Sequence, residues 1–169
     1  ANLLQIADAV AQAARHVDIP YVVIGDNITA PLIGEDRFRV HCLPYYNAVA
    51  ERGIPLFVHM DGDLEPISQA IGDSAVAGLD SFSPPPDNDM SVADAAAMWP
   101  DKRLLVNFPS SVHLAEPEVI YERAKQILTE GGHTGRLQIQ ISENMPRDVW
   151  QTSFPPILQA IEEFGAPQG

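Results

Sequence analysis

Pro55-Leu56-Phe57-Val58-His59-Met60-Asp61-Gly62-Asp63 is the stretch on which the reading of this chain turns. A proline opens it, three apolar residues follow without interruption, and polarity then arrives at once. An unbroken apolar run of strand length is what a strand covered on both faces shows, the habit of parallel sheets. The same grammar recurs in Tyr21-Val22-Val23-Ile24 before Gly25-Asp26-Asn27, and in Gly78-Leu79-Asp80-Ser81-Phe82 before three prolines. It recurs again in Leu104-Leu105-Val106 before Asn107 and in residues 137–141 before Ser142-Glu143. Between these runs, residues 38–50, 64–71, 91–98, 117–129 and 150–164 have helical spacing, with Gly53, Gly131-Gly132 and Gly165 as stops. Ahead of them, residues 2–17 put Leu3, Ala7, Val10, Ala11, Ala14 and Val17 on one stripe, which predicts an amphipathic helix packed on something apolar.

This is βα alternation, and its step is measurable. Strand starts near Tyr21 and Leu137 lie four steps apart, so one unit takes about 29 residues and eight would take about 232, near the roughly 250 of a (β/α)8 barrel. Five units are present. A doubly wound sheet would show a glycine-rich phosphate turn after its first strand, and Gly25-Asp26-Asn27-Ile28 is not one. The polar residues favour the barrel, because Asp26, His59, Asp61, Ser83, Asn107 and Glu143 all fall at the C-terminal ends of strands, where barrel sites are built. The expected fold is therefore α/β with parallel strands. Residues 1–169 form a single domain, the C-terminal part of a TIM barrel with about five βα units, and Ala1 beginning inside a helix suggests an upstream part removed.

Composition narrows the function. Among 169 residues, 10 Lys and Arg face 23 Asp and Glu, a net charge of −13. Nucleic acid and anionic membrane surfaces demand the opposite sign. With 46% hydrophobic residues the chain can build a core. A lone Cys42 permits no internal disulfide, and no apolar run reaches the roughly 18 residues of a membrane helix, so a cytoplasmic protein acting on a small molecule is expected.

His59 and Asp61 stand two apart at a strand end, so they can face one side together, while Gly62 lets the chain turn or come close to a ligand. An imidazole beside a carboxylate begins a metal site or a proton-transfer pair. The plainer alternative is a His–Asp hydrogen bond that satisfies a buried polar layer.

Val58 to Gly62, then Leu64-Glu65-Pro66-Ile67, then Gly78-Leu79-Asp80-Ser81-Phe82 resemble the C-terminal half of the uroporphyrinogen decarboxylase superfamily. That superfamily includes the decarboxylase and the zinc-dependent methyltransferases that move methyl groups between corrinoid proteins and thiols. Ile24-Gly25-Asp26-Asn27, Leu43-Pro44-Tyr45-Tyr46, Asn107-Phe108-Pro109, Pro117-Glu118-Val119-Ile120 and Ser142-Glu143-Asn144-Met145-Pro146 follow its order, so the likeness runs over residues 20–165.

The methyltransferase branch carries His-x-Cys-Gly and a second cysteine near the last strand. Here Asp61 stands at the first cysteine position and Glu143 near the second. The resemblance thus implies a metal held by His59, Asp61 and Glu143, with two negative charges retained but harder ligands, so zinc or another divalent ion such as manganese or iron would serve. Such an ion would lower the pKa of a thiol or oxygen acceptor, with a corrinoid protein as methyl partner. Asp26 would orient substrate or take a proton, and Asn107 would donate a hydrogen bond; with Asp61, these form the expected catalytic set.

The decarboxylase branch resembles Lys-Asp-Gly at this strand, which Asp61-Gly62 matches, but its arginine-rich motif belongs to strands outside this stretch. A carboxy-lyase would use Asp61 as acid and would need Arg37, Arg39, Arg103 or Arg147 at the rim. The third expectation is a folded but inert fragment.

Five strands leave two unpaired ladders, which predicts a homodimer or larger homo-oligomer. His41, Cys42, Trp99 and Trp150 read as packing residues, and His113 and His133 as loop residues. Pro84-Pro85-Pro86 reads as a stiff wall or lid. Asp80 is the one acid that lies within a strand.

Overall fold

The structure is a computed structural model and describes residues 3–142 and 144–165. Its strands are β1 (Val22–Ile24), β2 (Leu56–His59), β3 (Gly78–Phe82), β4 (Arg103–Phe108) and β5 (Leu137–Ile141). Its α-helices are α1 (Leu3–Ala14), α2 (Ala30–Arg37), α3 (Leu43–Ala50), α4 (Ser68–Gly72), α5 (Val92–Met98), α6 (Pro117–Gly131) and α7 (Trp150–Phe164). The five strands form one parallel sheet in the order β1-β2-β3-β4-β5, each beside its neighbour in sequence, with helices alternating between them. That order lacks the reversal of a doubly wound sheet. The expected α/β fold with about five parallel βα units is what forms.

The chain comprises two compact units, one ending at Asp80 and one beginning at Ser81. In the first, Phe38, Tyr46, Leu56, Val58, Met60, Ile67, Ile71 and Leu79 are fully buried. Each such side chain contributes about 1.5–3 kcal/mol relative to an exposed one. Gly78 stands in register with Phe57, and a Cβ there would lie 2.3 Å from the Phe57 ring, so a glycine opens β3 because an aromatic lies over it. In the second unit Trp99 meets Phe82 edge to face at 6.2 Å and 90°, and Val106, Phe108, Ile120, Ala124 and Ile157 are buried.

The departures from expectation have local causes. A helix, Ala30–Arg37, precedes the one read from residue 38, kinked at Gly34 where φ is 67°. Only Ala30 of that segment is buried, so it carries no apolar stripe to betray it. A π-helical turn, Phe38–Cys42, then joins it to α3. Residues 64–71 divide into a 3-10 turn, Glu65–Ile67, and α4. The first helix ends at Ala14, and Leu3 and Val17, expected on its packed stripe, are 59% and 61% exposed. Trp150 is half exposed against Phe154, while Trp99 is buried as expected. No helix among the described residues is long and apolar enough to cross a membrane.

Candidate functional site

The first unit gathers acids around one imidazole. His59 ends β2 in register with Asp80 of β3, so their side chains leave the sheet on the same face. His59 Nδ1 and Asp80 Oδ2 are 2.8 Å apart, and Nε2 lies 3.9 Å from Asp61 Oδ2. All three side chains are half-buried. With Nδ1 given to a carboxylate, the proton sits there and Nε2 keeps its lone pair for a metal or a proton. His59 and Asp61 thus supply two ligand types side by side. Among the described residues no group of three or more His, Cys, Asp or Glu side chains could hold an ion. Glu143, the expected third ligand, lies outside the described residues.

The backbone holds this corner. Ile28 N donates to the His59 carbonyl, Met60 N to the Asp80 carbonyl and Ala30 N to the Asp63 carbonyl, so the loop after β1 is laced to the end of β2. Gly62 is required by that lacing. A Cβ at residue 62 would sit 2.2 Å from Thr29 Oγ1, so the close approach expected of this glycine is to the protein's own chain.

Asp26 is exposed two residues past β1, and its Oδ2 accepts a hydrogen bond from buried Tyr46 Oη at 2.9 Å. Burial and then that bond push the Tyr46 phenol well above its ordinary value. Burial also raises the Cys42 thiol, with the Asp26 charge adding to it and a Tyr46 hydrogen bond opposing. Cys42 therefore remains a thiol at neutral pH, not a nucleophile. Asp26 is the exposed, chemically available group of this trio.

The second unit gathers neutral groups. Asn107 Nδ2 donates to the Ser81 carbonyl at 3.3 Å and to Ser83 Oγ at 3.0 Å, so the donor expected for a substrate is engaged within the protein. Gln140, in register with Asn107, donates from Nε2 to Asn107 Oδ1 and to Ser81 Oγ. Ser81 has φ 62° inside a strand, a conformation that costs a non-glycine residue about 1–3 kcal/mol and that surrounding bonds must hold. Sequence reasoning passed over Gln140, Ser81 and the Asp80 partnership. Strand register was the one signal that could have found two of these, because it pairs position 59 with 80 and 107 with 140.

His113 is not a loop residue. It lies on a 3-10 turn, Ser110–Leu114, with 1% exposure; its Nδ1 bonds Ser153 Oγ and its ring packs on Phe108 at 4.9 Å. The proline loop after β3 is anchored as well. Asp87 accepts from Ser110 N at 2.6 Å and from the Ser110 and Ser111 hydroxyls.

No protein-family model matches the sequence, and no curated protein matches it. Among solved structures, a methyltransferase from Methanosarcina mazei is similar, with a TM-score of 0.73 at 19% identity over 96% of this chain and 48% of that one. The chain spans about half the length of that structure, and at this identity the likeness is one of fold.

Proposed function

We propose that this chain carries the metal-binding part of a methyltransferase-like barrel of the uroporphyrinogen decarboxylase superfamily, acting on a small-molecule thiol or oxygen acceptor. The observation that carries the reading is the imidazole of His59, clamped at 2.8 Å by Asp80 while a second carboxylate, Asp61, lies 3.9 Å from its other nitrogen. A carboxylate–histidine pair of this kind orients the ligand nitrogen. His59 Nε2, Asp61 and Glu143 would hold zinc or another divalent ion, a donor set of one nitrogen and two carboxylates that fits a hard or borderline cation. Bound there, the ion supplies Lewis acidity that lowers the acceptor's pKa.

The chain's own groups do the rest. Asp80 fixes the tautomer of His59, Asp61 supplies negative charge beside it, and Asp26, braced by Tyr46, orients substrate or accepts its proton. Asn107 keeps the strand-end network in shape, and a corrinoid protein is the methyl partner in this reading. The methyltransferase among the similar structures supports the choice of chemistry. A carboxy-lyase finds less support, because Arg39 is bound to Glu35 and Asp73 and Arg103 opens β4 at the end away from the site.

Metal analysis on protein purified without chelator, followed by zinc titration calorimetry, tests the reading. Stoichiometric binding that disappears in His59→Ala is the expected result. Protein that carries no metal and whose melting temperature ignores added zinc would end it. The open outer sides of β1 and β5 support self-association, to be read by light scattering at micromolar concentration, where a strict monomer would count against it.

A further inference from the structure

In the second unit, the ends of β3, β4 and β5 carry a hydrogen-bond relay whose polarity is dictated by one backbone atom. The Ser81 carbonyl can only accept. Asn107 therefore turns its nitrogen toward it, at 3.3 Å, and shares that nitrogen with Ser83 Oγ at 3.0 Å. This leaves Asn107 Oδ1 facing Gln140, which must answer with its own nitrogen, at 3.0 Å. Gln140 Nε2 also donates to Ser81 Oγ at 3.1 Å, so its two amide hydrogens are both committed. Gln140 Oε1 consequently faces away from the network. It accepts no hydrogen bond among the described residues, and it is not among their sealed and unpartnered atoms, which are His113 Nε2 and Arg136 Nε. The residue is half-buried. Turning the amide over would set oxygen against oxygen at Asn107, so the acceptor is fixed in place before any ligand arrives.

We propose that Gln140 Oε1 is a specificity-determining acceptor: the second unit binds a small molecule through a hydroxyl or amine hydrogen and turns away carboxylates and phosphates, which offer it only further oxygen. A polar group fixed in this way discriminates against an analogue that lacks the matching hydrogen. The left-handed Ser81 backbone fits the same role, since such strain is held where geometry must be exact to a ligand. The inference stands whether or not His59 holds a metal, because no residue of the relay belongs to that set.

The test uses the full chain, labelled with nitrogen-15, and a neutral pair of probes that differ only in their donors: ethylene glycol and its dimethyl ether. The diol is expected to shift the side-chain amide resonances of Gln140 and Asn107 saturably. The ether is expected to bind about fivefold more weakly, the worth of one neutral hydrogen bond. In Gln140→Met, with its fold checked by the backbone spectrum, the Asn107 response to the diol should be lost. Equal responses to the two probes, no response to either, or an undiminished Asn107 response in Gln140→Met would overturn the proposal. The contrast between probes decides it in the unaltered protein even if that variant does not fold.

Discussion

His59 and His113 each turn Nδ1 to an oxygen, and they end in opposite circumstances. For His59 the oxygen is a carboxylate, a second carboxylate lies near Nε2, and the ring is half-buried at a strand end. For His113 the oxygen is the hydroxyl of Ser153, the ring packs at a tilt against Phe108, and Nε2 is sealed without a partner among the described residues. An imidazole that bonds a carboxylate and reaches solvent is ready to take a proton or an ion. One closed in by a hydroxyl and an aromatic is a packing piece that must stay neutral. Burial holds His113 below its ordinary pKa, with the Asp87 charge pulling the other way. Burial pushes the Asp87 carboxyl itself up, but hydrogen bonds from Ser111 and Ser110 outweigh it and leave it below its ordinary value.

The sharpest way to break this contrast is a reciprocal pair of alanines. His113→Ala opens a cavity and strands the Ser153 hydroxyl, so chemical denaturation should show a loss of about 2–4 kcal/mol with zinc binding intact. His59→Ala should do the reverse, costing under about 1 kcal/mol of stability while zinc binding disappears from calorimetry. If His113→Ala is harmless, the two histidines do not differ as described. Next in size is Asp80→Asn, which keeps the shape but removes the charge behind His59. Zinc affinity should fall roughly 10–100-fold, the usual cost of losing a carboxylate that supports a ligand histidine.

A pH effect is smaller and has a definite sign. The folded state holds His113 below 6.5 and the unfolded chain does not, so the unfolded state binds the extra proton. This contribution is therefore fully present above pH 6.5 and is lost as pH falls from there toward the depressed folded value. The slope it adds is at most about 1.4 kcal/mol per pH unit, and the unfolding free energy of His113→Gln from denaturant titrations should vary less steeply with pH, by up to that share, below about pH 6.5. The smallest effect belongs to Arg39→Ala. Its partners Glu35 and Asp73 are exposed, and thermal melts should not separate it from the parent.

Much of the frame was legible. All five strands, and a helical stretch somewhere after each of them, announce themselves by apolar runs and periodic stripes, since burial on two faces or on one leaves a pattern in composition. The helix before Phe38 does not, because a segment that buries only Ala30 has no pattern to show. Of the candidate site, the neighbourhood of His59 and Asp61 follows from their spacing of two residues where β2 ends. Asp80 behind His59, Gln140 behind Asn107 and Ser153 against His113 are contacts across 21, 33 and 40 residues of sequence. Register or helix docking decides such contacts, and no local rule reads either. Tyr46 under Asp26 is of the same kind: its helical position is plain, but the loop end that it braces is not.

The tight meeting of Gly62 with Thr29 makes two distant positions answer for one another. A mutational library screened for folding should reject side chains at 62 taken alone. It should recover some of them when residue 29 shrinks to glycine in the same clone. Heredity at these two sites is then joint, and a pair of changes tolerated together would be harmful along the route on which residue 62 changes first.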